Sequence, residues 1–157
     1  MLSSGLIACD RPTLPVMLQP GVLLPGVELP GLDGQPYLIF PGSGPFLLNF
    51  WATWCAPCRA EMAALDRLYK ALQPRGLKVI GISVDTDIFL VQEYLLKEAL
   101  SFPILLDAGG SIARSRFQVP AYPATYLVDP AGRVAGSWLG EQDWKRAEIR
   151  QQIAQVL

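Results

Sequence analysis

Residues 49–62 read Asn49-Phe50-Trp51-Ala52-Thr53-Trp54-Cys55-Ala56-Pro57-Cys58-Arg59-Ala60-Glu61-Met62. The apolar run from Phe46 to Ala52 is typical of a central strand that is buried on both faces. After Pro57 the apolar residues recur at helical spacing, and this helix should end near Pro74. The residues at that spacing are Met62, Leu65, Leu68, Tyr69 and Leu72. The pattern therefore predicts a strand followed directly by a helix, with two cysteines at the junction.

The two cysteines of this stretch have the spacing that thiol–disulfide exchange requires. Such a site needs one exposed, reactive thiolate to attack a disulfide and a second cysteine to resolve the mixed disulfide. Cys55 falls where the helix begins, so unpaired backbone N–H groups and the helix dipole can stabilise its thiolate. Cys58 lies within the first turn. We predict Cys55 as the nucleophile and Cys58 as the more sheltered resolving thiol, with the neighbouring Trp54 in contact with substrate.

Proline and glycine dominate the segment from Arg11 to Gly44, which disfavours helix and predicts a linker that leads into a peripheral hairpin. The short strands expected there are Val22–Leu24, Val27–Leu29 and Tyr37–Ile39. After the first helix, further strands are predicted at Leu77–Val84, Ile104–Leu106, Ala124–Val128 and Arg133–Leu139. Helices are predicted at Ile88–Leu100 and Trp144–Val156, and a short turn or helix at Ser111–Phe117. The apolar face of the first helix is expected to include Phe89, Tyr94, Leu95 and Leu96. This order predicts an α/β domain whose central sheet is mostly parallel, with an antiparallel hairpin at one edge and helices on both faces.

Composition excludes several classes of protein. A chain of 157 residues with a net charge of −1 is one domain without the basic stripe of a nucleic-acid-binding protein. The sequence has no histidine, which removes Ser-His and Cys-His catalysis and the commonest zinc ligand. Three cysteines cannot form a four-ligand zinc site, so we expect no metal and no other cofactor. A copper-assembly protein stays open as an alternative, because two thiolates can hold Cu(I).

The beginning of the chain contains a second motif, Leu6-Ile7-Ala8-Cys9. It is similar to the lipobox of bacterial lipoproteins, which would make Cys9 the lipidated first residue of the mature protein. Only five residues precede it, without Lys or Arg and without an apolar core, so a coincidental match with a free thiol at Cys9 is the alternative. We expect residues 1–21 to be a tether or signal remnant and residues 22–157 to be the folded domain.

The block Asn49 to Met62 resembles the active-site block of the TlpA/ResA/DsbE-like thioredoxins. The resemblance extends through Leu29-Pro30-Gly31-Leu32-Asp33-Gly34 before it and Tyr122-Pro123-Ala124-Thr125-Tyr126-Leu127-Val128-Asp129 after it, and covers the chain from about Val22. It implies a thioredoxin fold with an N-terminal β-hairpin and an inserted helix and strand at about Ile88 to Leu106.

The resemblance also assigns the loop that faces the cysteines. Pro123 matches the family's cis-proline, and the preceding Tyr122 would offer its backbone to an extended substrate chain. Pro120 is a competing candidate for the same position. We favour Pro123 because the family's spacing continues after it.

The sequence departs from the family's pattern at the residue that manages the proton of the resolving cysteine. Several members carry an acidic residue after the strand that follows the active-site helix. Here Thr86 stands at the place of that glutamate, which leaves Asp85 or Asp87 as substitutes. The alternative is that Asp85 is a solvated strand end and that Asp87 caps the next helix. Arg59 and Glu61 are interpreted as the exposed side of the active-site helix.

The resemblance implies a reductase of protein disulfides outside the cytoplasm, in the periplasm. Cys9 would be its point of attachment to the inner membrane. Its client would be apocytochrome c or another secreted thiol protein, and a membrane or periplasmic dithiol would supply its electrons. A peroxiredoxin-like thiol peroxidase is the enzymatic alternative. That class uses a single peroxidatic cysteine after a Pro-x-x-x-Thr pattern, which the residues before Cys55 do not match.

Overall fold

The computed structural model describes residues 16–157. The strands within this range are β1 (Val27–Pro30), β2 (Pro36–Ile39), β3 (Phe46–Trp51), β4 (Lys78–Ser83), β5 (Ile104–Leu106), β6 (Ala124–Val128) and β7 (Val134–Leu139). The helices are α1 (Ala56–Leu72), α2 (Ile88–Lys97), α3 (Ser111–Phe117) and α4 (Ala147–Val156), with short 3-10 turns at Gln73–Arg75 and Ala108–Gly110. None of these helices is both long and apolar enough to span a bilayer.

Strand β3 lies at the centre of the sheet, as its sequence, apolar at every position except Asn49, predicts. All six residues from Phe46 to Trp51 are buried. β3 pairs in parallel with β4 and antiparallel with β6, and the full order among the described strands is β5-β4-β3-β6-β7. The predicted α/β architecture with an antiparallel hairpin, β6–β7, at one edge is confirmed. The sheet is mixed rather than mostly parallel, because β3 also pairs antiparallel with β6. The carboxyl ends of β3 and β4 meet at one edge of the sheet, where α1 begins.

The buried face of helix α2 agrees only in part with the predicted one. Phe89 and Leu96 were expected near its apolar face, but their side chains are 73% and 88% exposed. The face that packs on the domain is centred on Val91, which is fully buried, with Tyr94 and Leu95 beside it. At 100° per residue, Phe89 and Leu96 point away from that face. The last helix also differs, because α4 begins at Ala147 rather than at Trp144.

The N-terminal part of the described chain contacts both edges of the sheet. Residues 21–24 run along the start of β7, with a bridge between Leu23 and Arg133. The chain then forms the two-stranded hairpin β1–β2, in which Gly31 bridges to Leu105 of β5. Met17 and Leu18 are both buried, which extends the packed domain ahead of the expected boundary at residue 22. Cys9 lies outside the described residues.

Candidate active site

Cys55 and Cys58 form a disulfide at the amino end of α1. Their Cα atoms are 5.2 Å apart. Cys55 occupies the N-cap position with an extended backbone, and no side chain caps the helix there. The positive end of the helix dipole is therefore directed at the Cys55 sulfur. Cys55 is 6% exposed and Cys58 is fully buried, which agrees with the predicted difference in shelter.

An exposed aromatic side chain flanks the disulfide. Trp54 is 63% exposed, and its ring meets the ring of Tyr122 edge to face at 6.1 Å between centroids. The Tyr122–Pro123 peptide is the one cis bond between residues 16 and 157, so the competing candidate Pro120 is trans. Burial raises the pKa of the Tyr122 phenol, and the nearby Arg114 opposes that rise. The structure thus brings Trp54, Tyr122 and Pro123 together beside the cysteines.

Asp85 is buried, whereas the alternative interpretation described it as a solvated residue at the end of a strand. It is 4% exposed at the end of β4. Its carboxylate accepts hydrogen bonds from the Thr53 backbone N–H at 2.9 Å, the Thr53 hydroxyl at 2.6 Å and the Ser83 hydroxyl at 2.7 Å. The Thr53 carbonyl in turn accepts a bond from Arg59 at 2.7 Å. Asp85 therefore fixes the residue that stands two positions before Cys55.

Asp87 is the cap of helix α2. Its Oδ1 accepts a hydrogen bond from the backbone N–H of Phe89 at 2.9 Å. This is the role that the alternative interpretation gave it. Both Asp85 and Asp87 thus have structural partners of their own.

Glu61 is the residue that the sequence analysis placed wrongly. It was interpreted as part of the exposed side of α1, but it is 2% exposed. Its Oε1 accepts a hydrogen bond from Asn49 Nδ2 at 3.0 Å, and its Oε2 accepts one from the Gln142 backbone N–H at 2.8 Å. Burial is the main cause that raises the pKa of Glu61 to about 7, and the hydrogen bonds from Gln142 and Asn49 oppose it.

The sequence does contain a signal for the burial of Glu61. Glu61 lies three residues after Cys58 and four before Leu65. It therefore shares the buried stripe of α1 with Met62 and Leu68. A carboxylate on that stripe is a charged residue on the core face of the helix. Carboxyl groups whose pKa is moved toward neutrality are candidates for proton transfer.

A cleft of about 490 Å³ lies next to Glu61. Its walls come from α1 and from the loop that follows β7, and its charged residues are Arg67, Glu141, Asp143 and Lys145. The negative charge of Glu141 also raises the pKa of Glu61. Between residues 16 and 157 no group of three or more His, Cys, Asp and Glu side chains is arranged to hold a metal ion.

The fold and the disulfide at the head of α1 define a thioredoxin-fold protein with a dithiol site. A solved structure of a candidate thiol:disulfide interchange protein DsbE from Chlorobium tepidum superposes with a TM-score of 0.81 at 24% identity, covering 88% of this chain and 98% of that one. A thiol-disulfide oxidoreductase from Bacteroides fragilis gives a TM-score of 0.74 at 24% identity, with 87% and 100% covered. The model of the AhpC/TSA family matches residues 20–137, and the chain belongs to that family.

Curated relatives agree with the resemblance inferred from the active-site block. The chain is 35% identical over 109 residues to the thiol-disulfide oxidoreductase ResA of Bacillus thuringiensis subsp. konkukian, with 69% of this chain covered. It is 34% identical over 107 residues to ResA of Bacillus anthracis. The matched part spans 62% and 61% of the length of these two relatives. The predicted membership of the TlpA/ResA/DsbE-like group is confirmed.

Proposed function

We propose that this protein is a thiol–disulfide oxidoreductase that reduces the disulfides of other proteins. One observation carries the proposal: Cys55 and Cys58 stand at bonding distance at the uncapped start of α1. A thiolate at that point is stabilised by the helix and is the group that attacks a disulfide sulfur. The names of the curated relatives support the same chemistry.

The proposed reaction transfers two electrons from the dithiol to the client. The Cys55 thiolate attacks one sulfur of the client disulfide, an S–S bond forms between them, and the other client sulfur leaves as a thiolate that takes a proton. Cys58 loses its proton and attacks the Cys55 sulfur. The mixed disulfide breaks, the Cys55–Cys58 disulfide forms, and the client is released with both cysteines reduced. A donor dithiol reverses these steps on the enzyme to restore the two thiols.

We assign the proton of Cys58 to Glu61 rather than to Asp85 or Asp87. Residues three apart on a helix are neighbours, so the Glu61 carboxylate lies on the same side of α1 as Cys58. With a pKa of about 7, Glu61 can accept a proton and release it again near neutral pH. Asp85 and Asp87 are instead committed to Thr53 and to the start of α2.

Client binding is assigned to Trp54, Tyr122 and Pro123. The exposed Trp54 ring offers an apolar surface beside the nucleophile. The backbone of the Tyr122–Pro123 loop offers hydrogen-bonding groups to an extended client segment. These contacts hold a polypeptide across Cys55.

We place the activity outside the cytoplasm, in the periplasm, on a domain that includes Met17 and follows a membrane tether. The client would be apocytochrome c or another secreted thiol protein, and a membrane or periplasmic dithiol would supply the electrons. The motif Leu6-Ile7-Ala8-Cys9 supports a lipid anchor on Cys9. Labelling of the native protein with a fatty-acid analogue tests this anchor. Label that survives a Cys9→Ser substitution, or an unlabelled protein found wholly in the cytoplasm, contradicts it.

Trapping of the mixed disulfide tests the function. With Cys58→Ser the resolving step is blocked, so client proteins should accumulate in complexes with Cys55 that dithiothreitol releases. Cys55→Ser is the matched control and should trap nothing by this route. Equal trapping by the two variants, or no insulin reduction by the wild-type protein with dithiothreitol, would contradict the proposal.

Membership of the AhpC/TSA family makes a thiol peroxidase the second candidate. Hydrogen peroxide consumption with dithiothreitol, measured beside insulin reduction on the same sample, separates the two activities. The reductase proposal expects rapid insulin reduction and peroxide loss no faster than with free thiols. A Cu(I) titration of the reduced protein addresses the remaining copper-assembly alternative.

A further inference from the structure

Asn49 lies at the centre of the buried polar network beside the disulfide. It is fully buried in β3 and is the only asparagine of the 157 residues. Its Nδ2 donates to Glu61 Oε1 at 3.0 Å and to Thr125 Oγ1 at 2.9 Å. Its Oδ1 accepts no hydrogen bond from any residue that the structure describes. Both N–H groups of the amide therefore donate hydrogen bonds, whereas its oxygen accepts none.

This arrangement suits an ionised Glu61. A carboxylate only accepts hydrogen bonds, and every polar group against it is a donor. These donors are Asn49 Nδ2, the Gln142 backbone N–H and the indole N–H of Trp144, which faces the carboxylate without reaching hydrogen-bond geometry. Once Glu61 holds a proton, its O–H needs an acceptor among these groups. The backbone N–H and the indole cannot provide one.

Asn49 can provide that acceptor by a half-turn of its amide. The turn exchanges Nδ2 and Oδ1, which places an oxygen 3.0 Å from Glu61 Oε1 and 2.9 Å from Thr125 Oγ1, the distances that Nδ2 now has. The Thr125 hydroxyl both donates and accepts, so it keeps its bond in either state. The turn keeps one bond to Glu61 and one to Thr125. It also moves the two amide N–H groups to the place where Oδ1 now has no partner, so the loss of their acceptors is its main cost.

We propose that the Asn49 amide turns over each time Glu61 gains or loses the proton of the resolving cysteine. Asn49 is then a positioning residue that stabilises both forms of Glu61 in turn. This inference rests on the proton role that the proposed function gives to Glu61. Charged groups that line the neighbouring cleft, Arg67, Glu141, Asp143 and Lys145, affect the pH at which Glu61 titrates.

Two isotope labels, ¹⁵N in asparagine and ¹³C in glutamate, test the turn. Selective ¹⁵N-asparagine labelling of the full chain gives one side-chain amide, and the ¹³Cδ of Glu61 is assigned by its loss in Glu61→Gln. In the oxidised protein at pH 9, both amide protons should show nuclear Overhauser effects to the Glu61 and Thr125 side chains. At pH 5 these effects should disappear, with a midpoint equal to that of the Glu61 carbon. A merely structural asparagine would shift its signals but would keep the effects.

The outcomes distinguish a failure of the Asn49 rotation from a failure of the proton role of Glu61. If the nuclear Overhauser effects persist both below and above the midpoint of the Glu61 titration, Asn49 does not rotate. The proton role of Glu61 is then unaffected. A Glu61 carbon that does not titrate between pH 5 and 9 overturns the turn together with that proton role. Neither result affects the trapping experiment on Cys55. In Asn49→Ala the Glu61 midpoint should move, whereas in Thr125→Ser, which keeps the hydroxyl, it should stay at the wild-type value.

Discussion

The carboxylate of Asp85 binds Thr53 twice, through the backbone N–H at 2.9 Å and the hydroxyl at 2.6 Å. This contact joins the end of β4 to the turn that carries Trp54 and Cys55. A buried carboxylate with three donors is a strong clamp, because each donor would otherwise be left unpaired. The geometry of the nucleophile therefore depends on a residue 30 positions further along the chain, brought there by the parallel pairing of β3 and β4.

Replacement of Asp85 should affect both stability and turnover. Asp85→Ala is expected to lower the free energy of unfolding by about 2 to 4 kcal/mol, because the Thr53 N–H and two hydroxyls lose their acceptor. Insulin reduction by the folded fraction should also fall several-fold, since the turn before Cys55 is no longer fixed. The matched control is Asp87→Ala, which removes only a helix cap worth about 1 kcal/mol. Equal effects of the two variants in urea unfolding and in the insulin assay would contradict the role of Asp85 in fixing Thr53.

Glu61 should make the stability of the protein depend on pH. Burial raises its pKa from 4.5 to about 7, so the folded state holds the proton to a higher pH than the unfolded chain does. The resulting stability is fully present below 4.5, is lost as the pH rises to about 7, and stays constant above that value. A shift of this size corresponds to about 3 kcal/mol. Urea unfolding from pH 4 to 9 should show this decline in the wild-type protein and not in Glu61→Gln. Parallel curves for the two proteins would contradict the assignment.

Trp54 should contribute to client binding and little to folding. Trp54→Ala is expected to lower kcat/KM for insulin reduction about tenfold, as the loss of an aromatic contact of roughly 1 to 2 kcal/mol implies. Its unfolding free energy should change by less than about 0.5 kcal/mol, because the side chain is 63% exposed. Phe89→Ala removes an aromatic side chain that is 73% exposed and serves as the control for general loss of apolar surface. The same loss of activity in both variants would argue against a specific role for Trp54.

The redox pair should be reducing. The residues between the cysteines, Ala56 and Pro57, provide neither charge nor a side-chain donor to stabilise the thiolate beyond what the helix offers. We therefore expect a potential nearer to the ~−270 mV of thioredoxin than to the ~−120 mV of DsbA. Equilibration against glutathione and dithiothreitol buffers measures it. A value more positive than about −180 mV would mean that electrons flow in the opposite direction.

The sequence predicted those features that depend on local patterns. The apolar run of β3 and the helical spacing after Pro57 are strong local patterns, and they placed the cysteines at the correct junction. Glu61 was missed because its burial depends on Gln142 and Trp144, and the Gln142 contact joins residues 81 positions apart. The face of α2 was misjudged for a related reason. A helix that is apolar on several sides does not reveal which side the rest of the chain covers, and here that side is centred on Val91.

The path of the chain before β3 affects how the protein behaves among other molecules. Open sheet edges present rows of unpaired N–H and C=O groups that invite pairing with another chain. Residues 21–24 occupy the start of the β7 edge, and the hairpin reaches the β5 edge through Gly31 and Leu105. The N-terminal segment therefore shields parts of both ends of the sheet from edge-to-edge association. The proposed reductase would bind extended segments of client proteins, and this shielding reduces the chance that a client strand adds to its own sheet.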